Sequence, residues 1–258
     1  MSKMTDRASG QNLIAIARQK HEQQQRTSLP GNTVKLPSKG LTYPTSSPLR
    51  SGEVDIRFMT AYDEDIITNS TYIRDNTVYE RLLESIIITP GVDVSEIVIG
   101  DRDAILVAAR IYSYDKKYPV MVKENGEDVV KHIDLTRVPH KTFDLVPDDN
   151  GEFNYVTETG DKLKFKFLTV SSVKQLTDAD NKISAIIRAM LVEVNENRSS
   201  EYIDEYIRYH LIAKENRKIQ SYIANNMPGL VSDEIEYQGE EGDTFRATFQ
   251  FGLELFWL

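Results

Sequence analysis

The sequence contains no cysteine in 258 residues. Disulfides and thiolate metal sites are therefore excluded, and a reducing, cytoplasmic setting follows as an expectation. Long hydrophobic runs are also lacking, and none approaches the ~20 apolar residues that a membrane helix needs. The start, MSKMTDRASGQ, shows no apolar segment followed by a small-residue cleavage site, so no secretory signal is expected. Positive charge is in deficit: 31 Lys and Arg stand against 40 Asp and Glu, for a net charge of -9. A general nucleic-acid binder must neutralise phosphates, and this balance argues against one. Histidine is scarce. His21, His132, His140 and His210 include no helical pair, and HExxH, GxSxG and phosphate-loop patterns are absent. No metal site, cofactor or catalytic residue is expected.

What is present fits a soluble globular chain, with 40% hydrophobic and 28% charged residues. The length suits one large domain or two smaller ones. The densest acidic cluster is Asp63-Glu64-Asp65. Successive helical residues diverge by ~100°, so three adjacent acids do not converge on an ion. Helix capping and solvation account for them, and for Asp101-Arg102-Asp103 in the same way. In KLKFKF, Lys162, Lys164 and Lys166 alternate with Leu163, Phe165 and Phe167, the pattern of a half-buried strand with a solvated lysine face.

Along the chain, residues 1–33 read as a polar segment with a short apolar cluster at Leu13, Ile14, Ile16 and Ala17, too brief for a stable helix alone. Val54, Ile56 and Phe58 alternate as a strand and run into Thr60, a helix cap with an acid three residues on. Helices are expected over Val78–Ile88, ended by Pro90-Gly91, and from a cap at Asp101 through Tyr112. Residues 117–170 turn to strand character: Tyr118, Val120 and Val122 alternate, Asn125-Gly126 signals a hairpin, and Thr159-Gly160-Asp161 signals a further turn. Across 171–228 the apolar spacing predicts two long antiparallel helices, over Ile183–Val194 and Tyr202–Ile223, stopped by Met227-Pro228-Gly229. Residues 229–258 return to strands ending in LELFWL. The hairpin of 117–135 is too short to be stable alone, and the tail alternates in Phe245, Ala247, Phe249 and Phe251. The fold class is thus α+β: a helical body carrying a small antiparallel β module, built from the middle hairpin and the C-terminal strands.

Region 34–116 opens with LPSKGLTYP, Leu36–Pro44, too broken for a helix and too proline-rich for a central strand. With GEVDIRFMTAYDED and VIGDRDAILVAARIYSY it resembles the family of T4-type phage baseplate hub assembly proteins. There an LPSKG-x-x-YP arm precedes MTA-x-x-E and then a GDR-x-x-L-x-x-x-R-x-x-SY helix. The matching residues are Leu36 to Gly40, Tyr43 and Pro44; Met59, Thr60, Ala61 and Glu64; and Gly100 to Arg102, Leu106, Arg110, Ser113 and Tyr114. Phe256-Trp257 stands where the family closes on an aromatic strand. Many members carry paired cysteines in the hairpin after the SY helix; Lys123-Glu124-Asn125-Gly126 stands there instead, so either the module folds without metal, with Asn-Gly turning the hairpin, or the likeness ends there, and the first is expected.

The resemblance implies a non-enzymatic role in assembling the central hub of a contractile-tail baseplate, in the host cytoplasm, with other baseplate or hub proteins as partners. Whether such a protein stays in the virion baseplate or leaves as a chaperone is not written in residues. Partner contacts are expected from the arm, at Leu36, Leu41 and Tyr43, and from the tyrosine-rich helix, at Tyr202, Tyr206 and Tyr209. The alternative is a catalytic or nucleic-acid-handling protein, and a deep cleft with converging polar groups would favour it.

Overall fold

A computed structural model describes residues 29–124, 126–178, 183–231, 235–238, 244–247 and 251–257. The apolar cluster at 13–17 and Phe249 lie outside them. Val54 and Ile56 point inward from strand β2 (Glu53–Arg57), as the alternation requires. Its partner is β1 (Gly31–Lys35), antiparallel, in register from Gly31↔Arg57 to Lys35↔Glu53. Periodicity does not mark β1, because GNTVK offers one apolar side chain; long-range pairing makes it a strand. The polar segment therefore gives way to structure by Gly31. The far edge of β2 is covered by 87–89, where Ile88 N–H donates to the Asp55 carbonyl at 2.9 Å.

Three helices follow, α1 (Ala61–Thr68), α2 (Ser70–Arg74) and α3 (Val78–Ile86). The Asp63 carboxylate accepts the Thr60 N–H at 2.7 Å, so the acid at the third helical position closes the cap. The central helix α4 (Ile99–Ser113) starts two residues before Asp101, which is a buried residue of its first turn and not its cap. Ile105, Leu106 and Ala109 of α4 are fully buried. Its start lies against another chain segment: a Cβ on Gly100 would stand 1.8 Å from the Pro228 carbonyl oxygen. Only glycine permits that approach.

β3 (Lys117–Glu124) and β4 (Glu127–Asp134) form the expected hairpin, with Glu124 opposite Glu127 at its tip. β5 (Phe153–Val156), β6 (Lys162–Phe165) and β7 (Leu191–Val194) make a three-stranded antiparallel sheet. Leu163, Phe165 and Phe167 are buried, as the lysine alternation predicts, and Phe143, Phe153, Phe165 and Phe167 meet at centroid distances of 5.2 to 5.9 Å. Such contacts reward edge-to-face and offset geometry beyond area burial.

The two long helices do not form. After α5 (Val170–Asp178), α6 (Ile183–Met190) stops at Met190, and Leu191–Val194 becomes β7 because it pairs with β6. The second is broken into α7 (Ser200–Glu205), a π turn (Tyr206–His210) and α8 (Ala213–Asn226). The Leu211 N–H reaches back five residues to the Tyr206 carbonyl at 2.8 Å, and Ile212 is extended. β8 (Ile235–Gln238) and β9 (Thr244–Ala247) form their own hairpin. β3 packs against β9, and Tyr118 OH donates to the Glu254 carbonyl at 3.2 Å. Among the described residues the two hairpins meet by packing and share no ladder. LELF is a 3-10 turn (Leu253–Phe256), in place of the expected strand, with Leu255 and Phe256 buried.

Candidate functional site

The arm is latched to the first turn of α4. Asp101 Oδ1 accepts the Ser38 N–H at 2.9 Å; Oδ2 accepts the Ser38 hydroxyl and the Tyr43 hydroxyl, each at 2.6 Å. Both hydroxyls also accept from the backbone, Ser38 Oγ from Gly40 N–H at 3.1 Å and Tyr43 OH from Val98 N–H at 3.2 Å. Their single protons are thereby directed at the carboxylate, which acts as an acceptor throughout. Among the described residues no cation pairs with Asp101, so its support is these donors and the amino end of α4. Burial pushes its carboxyl pKa up, and the bonds from Ser38 and Tyr43 oppose that.

The arm's backbone is shaped for this. Gly40 has φ 77°, and a Cβ there would meet the Arg50 carbonyl oxygen at 2.4 Å. Arg50 closes the far end, donating to the Tyr43 carbonyl at 2.9 Å and the Leu41 carbonyl at 3.2 Å. Lys39, at the tip, donates to the Phe143 carbonyl at 3.0 Å.

Asp63 is likewise fully buried, contrary to the solvated acid that its sequence neighbours suggest. Arg57 holds it with two bonds, at 2.8 and 2.9 Å, and Ser85 donates to it at 2.7 Å. Burial opposes ionisation, but Arg57, Ser85 and the Thr60 amide together hold its carboxyl below the usual range.

The remaining signature residues join a third cluster. Ser113 Oγ accepts the Met59 N–H at 2.8 Å, and Tyr114 OH donates to Glu64 Oε1 at 2.8 Å. The buried Arg110 lies over the Tyr114 ring at 4.8 Å, and Phe256 packs on the same ring at 6.2 Å. Burial and the Glu64 carboxylate push the Tyr114 hydroxyl up to about 12. Arm, strand end, central helix and tail aromatic are thus joined by their most distinctive side chains. Their roles lie in contacts between segments dozens of residues apart, and no local sequence signal announces the burial of Ser38, Asp63 or Asp101.

Of the expected partner residues, Leu36, Tyr43 and Tyr206 are buried within the chain, which removes their side chains from its surface. Tyr43 is spent on the latch, Leu36 lies in the hydrophobic core, and Tyr206 donates to Asp161 at 3.1 Å. Leu41 is half-buried. Tyr202 and Tyr209 remain accessible at 36% and 70%, joined by Ile212 at 57%. Tyr202 lies on α7, Tyr209 within the π turn, and Ile212 in the extended link to α8.

A cleft of about 550 Å³ lies beside the arm, lined by Tyr43, Ser47, Asp93, Glu96, Lys166 and Arg198 among others. Arg198 is bound to Glu152 and Glu193, at 3.1 and 2.8 Å, and Asp93 caps the Ser95 N–H at 3.0 Å. Among the described residues no group of three acids or histidines is placed to hold a metal ion, and no helix is long and apolar enough to cross a membrane. A family model described as T4 bacteriophage base plate protein matches residues 33–239. No curated protein and no solved structure matches.

Proposed function

Because the chain belongs to the T4 bacteriophage base plate protein family, we propose that it serves the assembly of the central hub of a contractile-tail baseplate, as a non-enzymatic protein acting through protein contacts. The observation that carries this reading is the employment of the signature residues. Asp101 receives the arm, Ser113 and Tyr114 receive the strand end and α1, and Phe256 closes on Tyr114. Each is engaged with its own chain, which is how a scaffold uses polar side chains. In the cleft beside the arm Arg198 is similarly paired, with Glu152 and Glu193, in favour of a scaffold over a catalytic centre. Contact with hub proteins, in the host cytoplasm during assembly or in the finished baseplate, falls to Tyr202, Tyr209 and the half-buried Leu41. Exposed tyrosine supplies apolar area with few torsions to freeze, and interfaces favour it.

Co-purification of the tagged chain from infected cells tests the reading. The wild-type chain is expected to bring down other hub proteins, and the Tyr202→Ala/Tyr209→Ala chain to lose them while melting at the same temperature. Equal recovery by both would remove the tyrosines from the interface. Recovery of no baseplate protein by the wild type would overturn the function.

A further inference from the structure

The open edge of β1 borders a second groove. The bonds Phe58 N–H to Pro30 C=O and Leu36 N–H to Gly52 C=O, both at 2.8 Å, extend the β1–β2 ladder at each end. In an antiparallel pair the bonded residues alternate, so Asn32 and Val34 share that set. The N–H and C=O groups of Gly31, Thr33 and Lys35 therefore point away from β2, and all three residues are exposed. None of these groups has another backbone partner among the described residues.

Beside this edge runs a groove of about 420 Å³. Ala104, Val107, Ala108 and Ile111 of α4 line it together with Leu135 and Val138 from the segment after β4. The two alanines leave space along the helix that larger side chains would fill. Charge is one-sided: Lys35 lines the groove and no carboxylate does, in a chain of net charge -9, while burial lowers the pKa of His140 and favours its neutral form. Lys35 has no ion pair among the described residues.

We propose that this groove receives an extended segment of another baseplate protein, added as a strand to the free edge of β1, with alternate apolar side chains on α4 and a carboxylate against Lys35. The unpaired edge supplies main-chain bonds and the groove supplies side-chain pockets, the two requirements of recognition by strand addition. Five residues at about 3.4 Å each match the length of β1. A second copy of this chain fits poorly: its own β1, GNTVK, carries no acid to set against Lys35. This inference rests on the assembly role proposed above but not on the exposed tyrosines.

The test uses overlapping twelve-residue peptides covering the other baseplate proteins of the same phage, titrated against the full-length chain. Binding peptides are expected to alternate apolar and polar residues and to carry an acid. Thr33→Pro removes one outward donor without touching the β2 ladder, and Ala108→Gln fills the groove from the helix side. Each should weaken the best peptide by about tenfold or more, Lys35→Glu should do the same, and a change at the exposed Val146, Val146→Ala, should leave it unchanged. The idea is overturned if no peptide binds, or if binding survives both Thr33→Pro and Ala108→Gln. Sedimentation showing a dimer that Thr33→Pro dissociates would assign the edge to a second copy and overturn it equally.

Discussion

The hydroxyl of Tyr43 donates to the carboxylate of Asp101 at 2.6 Å, across 58 positions of sequence. That bond and the pair from Ser38 turn an irregular, proline-flanked arm into a fixed part of the helical body. Among the described residues the arrangement has no counter-cation, so it stands on hydrogen-bond direction, and any change that replaces an acceptor by a donor should release it.

Asp101→Asn places an amide group where three donors converge. Bonds to a charged acceptor contribute about 1.5–3 kcal/mol each, so the loss should amount to several kcal/mol. Trypsin should then cut at Lys39 far faster than in the wild type, and Tyr43→Phe should show the same effect to a smaller degree. Cleavage of Asp101→Asn at the wild-type rate would mean that the arm is held by Leu36 and its apolar neighbours alone.

Asp63 predicts acid sensitivity. Its folded pKa is depressed, so its contribution is present above the unfolded value of about 3.9 and is lost as pH falls through the folded value. The wild type should therefore weaken steeply below about pH 4. Asp63→Asn should flatten that slope while leaving Arg57 buried without its charge partner, at a cost of about 3–5 kcal/mol at neutral pH. Urea unfolding at neutral and at acid pH measures both; parallel pH profiles for the two proteins would assign the sensitivity elsewhere.

The chain contains no cysteine, and its described residues gather no cluster of metal-binding side chains. Thermal melting with and without a strong chelator should overlay. A chelator-induced fall of more than a few degrees would reveal a bound ion.

The hairpin of β3 and β4 depends on the tail. Leu255 and Phe256 are buried, and Tyr118 is bonded to the Glu254 carbonyl. Deleting the last eight residues, FGLELFWL, should cost several kcal/mol, at about 1.5–3 kcal/mol for each large apolar side chain lost. Hydrogen exchange should then quicken at Val120 and Val122. Unchanged protection there would separate the two segments.

Much of this architecture is legible in residue spacing, and the exceptions have a common cause. Alternation marks β2, β3 and β6, and a turn pair marks the hairpin, because those signals are local. β1 escapes notice since GNTVK has little apolar pattern and owes its conformation to β2. Leu191–Val194 continues a helical period in sequence but pairs with β6, where tertiary contacts override it. Asp63 and Asp101 read as solvated acids at helix starts; one is buried by Arg57 from the adjoining strand, the other by an arm 58 to 63 positions away. Tyr206 shows the same limit, since spacing identifies an aromatic stripe without saying which rings the chain keeps for itself.

We propose that this chain promotes hub assembly by contact and not by chemistry. The most direct measurement is the yield of sedimenting hub particles when purified hub proteins are mixed with the wild-type chain, with the Tyr202→Ala/Tyr209→Ala chain, or with neither. The account predicts full yield with the wild type and a marked loss with the double variant, approaching the yield without the chain. Equal yield in all three mixtures would contradict it.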